Sequence, residues 1–319
     1  MAKAKLHIDP FIVALLTTLA FATILPVAGE LATILETISK FAIAWLFFLY
    51  GIRLETKQAL NTLQAWKLHL TILAVTFVAF PLFGLLFLAM PSTLLPTELS
   101  HGIIFLTLLP STVQSSIAFT SIAKGNVAAA IVSASFSNLL GIIITPLLVA
   151  LILSGSIGFD PSSVGKLVIQ LLAPFIIGQI ARKWLVEWFK KTKKISAISD
   201  RATILLVVYL AFSQAVISGV WQQLTLTHLV ILLFLLLTLL LIALYFTWTV
   251  GKLFPRPMQI VVLMCGTKKS LTTGLPMAAI LLPQTNLGLM LIPLICFHQL
   301  QLIACSVIAS KLAKQAAEE

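Results

Sequence analysis

Residues 227–250 contain no Asp, Glu, Lys or Arg. Similar stretches recur along the chain, and a helix of about 20 apolar residues is long enough to cross a bilayer core. In lipid every backbone N–H and C=O must be paired within the protein, which leaves helices and closed barrels as the structures that cross. These runs are Leu-rich and continuous, without the alternation of barrel strands, so helices are expected. Composition agrees, because only 10% of the 319 residues are charged and mean hydropathy is +1.09. A water-facing surface needs about 25% charged residues, which excludes a soluble domain, a disordered chain and a disulfide-rich secreted one. Cys265, Cys296 and Cys305 lie in apolar runs with no C-x-x-C spacing and read as packing residues.

Polar and Gly/Pro punctuation predicts ten spans. The first five lie near 10–28, 38–52, 68–90, 102–123 and 127–153; the second five lie near 164–181, 202–220, 227–250, 258–282 and 286–310. Residues 29–37 are ambiguous, with a short interfacial helix as one reading. Lys3, Lys5, the apolar run and Val27-Ala28-Gly29 resemble a signal peptide, whose cleavage would leave nine spans. Orientation follows from Lys and Arg, which collect in cytoplasmic loops. Alternate loops hold 17 of the 21 positive residues, among them Lys3, Arg53, Lys57, Lys67, Lys124, Lys252, Arg256, Lys311 and Lys314, whereas the opposite set can claim Lys40 and Lys166. Both termini are therefore expected in the cytoplasm, in a plasma membrane of bacterial inner-membrane type. The net charge of +11 reads as topology, and nucleic acid is not an expected partner because no basic domain exists outside the spans. The run Lys190–Lys194 reads as a topology-setting loop with anionic lipid nearby.

The halves on either side of residue 158 correspond weakly. Gly102–Leu109 is interrupted by Pro110-Ser111-Thr112-Val113-Gln114-Ser115-Ser116; about 157 residues later Gln259–Cys265 is interrupted by Gly266-Thr267-Lys268-Lys269-Ser270. Phe136-Ser137-Asn138 lines up with Phe297-His298-Gln299. Five spans per copy is an odd number, so the second copy enters the membrane upside down, giving an all-α membrane protein built as a 5+5 inverted repeat. Broken helices at matching positions mark transport sites, because their free backbone groups persist only against protein or a cavity.

Lys268 and Lys269 fall about a dozen residues past Arg256, near mid-depth at ~1.5 Å per residue. A central lysine is disfavoured by about 2.5–3.5 kcal/mol on insertion scales, so both need compensation from carbonyls, water or an anionic solute. Adjacent side chains diverge, which leaves one of them a structural role. None of the ten acidic residues falls in mid-span, so no carboxylate is expected to bind Na⁺ or relay a proton. Any Na⁺ would need hydroxyls, amides and carbonyls, with Ser115, Ser116 and Asn138 as candidates. A lysine ammonium in the cation's place is the alternative. Ser111, Thr112, Gln114, Ser115, Ser116, Ser133, Ser137 and Asn138 form the first candidate set. Thr267, Lys268, Lys269, Ser270, His298 and Gln299 form the second. Single hydroxyls in spans mostly bond their own i−4 carbonyl, but clustered beside a break they become ligands. No paired carboxylate, H-E-x-x-H, G-x-S-x-G or phosphate-cradling loop is present, so an enzyme is not expected.

Leu109–Ser137, Phe47–Leu54 (FFLYGIRL), the stretch CGTKKSLTTGLPMA from Cys265 and FHQLQL from Phe297 resemble the SBF-like branch of the bile acid:sodium symporter superfamily (solute carrier family 10). The resemblance implies panel helices 1–2 at 10–66, core helices 3–5 at 67–153, panel helices 6–7 at 154–221, core helices 8–10 at 222–310 and a tail at 311–319. The Lys/Arg distribution makes 182–201 a basic cytoplasmic loop, and the resemblance makes broken helices 4 and 9 cross in the middle. Sodium-coupled members hold Na⁺ behind that crossing with a ninth-span glutamate, where this chain has Gly266-Thr267-Lys268-Lys269-Ser270. The expected function is a secondary transporter moving a small organic, anionic solute by alternating access, with Lys268 or Lys269 touching the solute. Two alternatives remain: a regulator of calcium homeostasis or of a membrane partner, and an uncoupled uniporter.

Overall fold

The computed structural model describes residues 10–53, 65–87, 90–157, 164–219, 224–282 and 286–318. The basic residues Lys3, Lys5 and Lys57 and the repeat boundary near 158 lie outside them. Every regular element among the described residues is helical. They are α1 (Pro10–Ile24), α2 (Gly29–Arg53), α3 (Trp66–Leu85), α4 (Thr97–Leu108), α5 (Gln114–Ile122) and α6 (Val127–Ile157). The rest are α7 (Val164–Lys191), α8 (Lys193–Ile217), α9 (Leu226–Gly251), α10 (Arg256–Gly266), α11 (Leu271–Leu281) and α12 (Leu287–Glu318). Seven of these, α2, α3, α6, α7, α8, α9 and α12, are each long and apolar enough to cross a membrane, and α1 is a shorter apolar helix. The remaining four helices form the pairs α4–α5 and α10–α11, each split at the polar stretch seen in the sequence.

Residues 29–37 are the first turns of α2 rather than a separate helix. The segment 182–201 is helical instead of a loop, with Thr192 alone between α7 and α8. It contains no Gly or Pro, so nothing in it stops the helices, and the Thr192 hydroxyl caps back onto the Trp188 carbonyl at 2.9 Å. Residues 311–318 likewise continue α12 rather than forming a separate tail.

α2 packs most extensively on α7, and α8 packs on both α1 and α2. Two glycines set the α2–α7 distance. A Cβ on Gly51 would lie 2.1 Å from the Phe175 carbonyl oxygen, and one on Gly178 would lie 2.1 Å from that of Phe48. Such close backbone approach gains dispersion contacts, which must hold helices together where lipid is as apolar as the side chains. Arg182 donates to the Ile52 carbonyl at 2.8 Å and closes the C-terminal end of α2. On the other side α12 packs on α4 and α9, while α10 runs against α3, α5, α6 and α9.

Candidate functional site

Pro110 lacks an N–H and disfavours helical backbone at the residue before it, so α4 ends with Leu109 extended (ψ 155°). The second break ends at Ser270, extended (ψ 113°), whose hydroxyl accepts the Thr273 N–H and starts α11. Both breaks are buried and meet each other. The Ser270 N–H donates to the Pro110 carbonyl at 2.9 Å. The Ser111 and Ser116 hydroxyls donate to the Cys265 and Met264 carbonyls at 2.6 and 3.0 Å. Ser137 accepts the Ser111 N–H at 2.9 Å, and Asn138 donates to the Ser111 carbonyl at 2.6 Å while accepting from the Thr273 hydroxyl at 2.8 Å. Gln301 pairs with both backbone groups of Lys269 at 2.8 Å and reaches His298 Nδ1 at 2.9 Å. Backbone groups released by one interrupted helix are thus satisfied by the other and by amides on α6 and α12.

The two lysines diverge as adjacency requires. Lys269 is fully buried, and its ammonium donates to the carbonyls of Thr76, Thr107 and Leu109, each at 2.8 Å. Thr76 lies in the π-helical turn Val75–Ala79 of α3, and Thr107 and Leu109 close α4, so all three carbonyls come from irregular helix. Lys268 is also fully buried, sits 4.0 Å from the centre of the Phe119 ring and has no hydrogen-bond partner among the described residues. Ser133 pairs with His69 Nδ1 at 2.8 Å, and Thr267 with Thr247 at 2.8 Å.

A cavity of about 720 Å³ lies beside the breaks, between α2 and α8 on one side and α5, α6, α11 and α12 on the other. Of the sequence candidates, Thr112, Gln114, Ser115, Asn138, Ser270 and His298 line it. Ser111, Ser116, Ser133, Ser137, Thr267 and Gln299 do not, and neither Lys268 nor Lys269 reaches it. Lys269 is taken up by the three carbonyls and Lys268 lies buried against Phe119, so neither is presented to the space where a solute would sit. The oxygens expected to hold Na⁺ are also engaged: Ser115 with Thr112 at 2.8 Å, Ser116 with Met264 and Asn138 with Thr273.

Four further residues line the cavity. Arg53 pairs with Asp200 at 2.5 Å and also reaches the Ser196 hydroxyl. Asp200 therefore is an ion-paired carboxylate in the first third of α8, where a loop was expected, and the middle of the helix holds no acidic residue. It enters because 182–201 is helix rather than loop. Arg201 lies 5.8 Å from the Phe11 ring, and Tyr50 lines the same space as Thr272 at the start of α11.

The first turns of both half-helices open into this space, through Val113, Gln114 and Ser115 of α5 and Ser270, Thr272 and Thr273 of α11. The α5 end has no side-chain cap, and the first N–H groups of a helix have no partner within it. Helix N-termini carry partial positive charge, and Arg201 adds a full one.

A polytopic helical chain with paired helix breaks beside a central cavity has the form of a carrier. A family model for the SBF-like CPA transporter family matches residues 9–314. The chain belongs to the SBF-like CPA transporter family. An uncharacterized protein of Pseudomonas aeruginosa is 43% identical over 99% of this chain and 96% of its own length. YfeH of Escherichia coli is 40% identical over 97% of this chain and 94% of its own. Sodium/bile acid cotransporter 7-A of Xenopus laevis is 31% identical over 95% of this chain and 91% of its own. The chain is accordingly a sodium/bile acid symporter-like transporter and not an enzyme, in a multi-pass membrane protein whose bacterial relatives point to the inner membrane.

Proposed function

We propose that this member moves a small organic anion by alternating access and carries its own cation at the helix crossing. The observation that carries the anion is the convergence of two half-helix N-termini on one cavity that also holds Arg201. Partial positive charges there favour a carboxylate or similar group, and His298 and Gln114 supply directional donors. Arg53 is neutralised by Asp200, so Arg201 is the cation the solute would meet.

In this reading the seven long helices, α1 and the two interrupted pairs make ten spans with both termini cytoplasmic. α1, α2, α7 and α8 form the panel, and the remaining helices form the core, in a 5+5 inverted repeat. The cavity between them is bounded by both groups, which is where rocking of one against the other would expose a solute alternately to each side.

Lys269 supplies what a coupling ion would otherwise provide. Three carbonyls at 2.8 Å around one fully buried positive charge form a cation seat, and the ammonium occupies it. Transport then needs no Na⁺ at the crossing. The names of the Xenopus relatives carry sodium and bile acid, and neither is assigned to this solute.

Titration calorimetry of the purified protein against matched series of carboxylates, neutral analogues and amines tests the charge preference. Carboxylate binding that Arg201→Gln weakens is the expected result. A preference for amines contradicts the reading.

A further inference from the structure

A second concave surface shares no residue with the solute cavity. It is a groove of about 360 Å³ on the outer face of α9, α10 and α12, with apolar walls that include Leu244, Trp248, Leu263, Ile308 and Leu312. One end is basic. Lys311 lines the groove itself, and Arg256 stands with its guanidinium 4.7 Å from the Trp248 ring centre. Arg256 is held there by Gln259 at 3.1 Å and Gln315 at 3.4 Å, two neutral amides that leave its charge uncompensated. Lys252 and Lys314 are exposed at the adjoining ends of α9 and α12. The sequence contains no Asp or Glu between Asp200 and Glu318, so α9, α10 and the groove-lining part of α12 supply no acidic partner for these cations.

An apolar trough that faces lipid and ends at a fixed, unneutralised pair of cations matches one kind of molecule. We propose that this groove is a binding site for a single anionic phospholipid. One acyl chain lies along Leu244, Leu263, Ile308 and Leu312, and the phosphate lies between Arg256 and Lys311. Trp248 sits where indole rings concentrate, at the boundary between acyl chain and headgroup. The guanidinium offers paired N–H donors suited to phosphate, while the Lys311 ammonium adds a point charge. Each basic residue near an anionic lipid surface contributes about fivefold to its retention.

The test uses the full chain in detergent, with phosphatidylglycerol or phosphatidylcholine added. Bound lipid is counted by native mass spectrometry, and the melting midpoint is followed in parallel. One phosphatidylglycerol retained per chain, with a raised midpoint that phosphatidylcholine does not produce, is the expected result. Arg256→Gln with Lys311→Ala should weaken retention at least tenfold, and Lys311→Ala alone about fivefold. Lys183→Ala with Lys191→Ala removes equal charge from exposed positions elsewhere and should leave retention unchanged. Ile308→Trp, which fills the trough without altering charge, should expel the lipid. Equal binding of both lipids, equal loss in the Lys183/Lys191 control, or retention unaffected by Ile308→Trp would each overturn the proposal.

Discussion

Replacing Lys269 with Ala removes an ammonium that three carbonyls surround and leaves a space in its place. Those of Thr76, Thr107 and Leu109 lose a donor at 2.8 Å in a site with no solvent exposure at Lys269. An unsatisfied buried polar group costs about 1–3 kcal/mol, so the three together set a gross cost of about 3–9 kcal/mol. Against this, burying the ammonium itself costs several kcal/mol, which the variant recovers. The recovered desolvation offsets part of that sum, so the net loss should fall near its lower end, at about 3 kcal/mol. The empty seat then becomes available to a free ion. A cation present at ten times its dissociation constant stabilises the state that binds it by about 1.4 kcal/mol. The assay compares melting midpoints in sodium chloride, potassium chloride and choline chloride at equal ionic strength. The parent protein should melt alike in all three. Lys269→Ala should melt much lower in choline and recover part of the loss in Na⁺ or K⁺. A parent protein stabilised by Na⁺ over choline, or a variant as stable as the parent in choline, refutes the reasoning.

Other perturbations follow from the same geometry. Asn138→Ala strips partners from the Ser111 carbonyl and the Thr273 hydroxyl, two groups on opposite breaks, and should lower the unfolding free energy by about 2–4 kcal/mol in denaturant titration. Gly178→Val forces side-chain atoms into the Phe48 carbonyl, which a Cβ already meets at 2.1 Å, so the yield of monodisperse protein on gel filtration should collapse. Arg53→Ala leaves Asp200 without its cation and should cost about 2–3 kcal/mol, with Arg53→Ala/Asp200→Ala recovering much of it in a double-mutant cycle.

The sequence carried the helical class and both breaks, because lipid forbids unpaired backbone and so makes Pro110 and Gly266–Ser270 conspicuous inside apolar runs. Burial was legible too, since two lysines inside an apolar run need protein around them, and both Lys268 and Lys269 are buried. Direction was not. A count along a helix gives distance from its end but not which neighbour a long side chain finds, and Lys269 turned to carbonyls behind the crossing instead of into the cavity. The same limit hid Arg53, the last residue of α2, and Asp200 and Arg201, which looked like loop charges until residues 182–201 proved helical. The absence of Gly and Pro from that stretch was the available signal, and its density of lysines masked it. Gln301, seen beside His298 in the sequence, is the residue that clamps the second break, whereas Gln299 leaves its amide nitrogen buried without a partner among the described residues. Helical register explains the exchange, because residues two apart face different sides.

The central claim is that the cavity passes an anion across the membrane, and counterflow in proteoliposomes tests it most directly. Vesicles loaded with the carboxylate that binds best by calorimetry are diluted into a trace of its labelled form, in choline chloride without Na⁺. Transient uptake of label above that of empty vesicles, reduced by Arg201→Gln, is the predicted result. Uptake that matches empty vesicles in choline, whether or not Na⁺ restores it, contradicts the account.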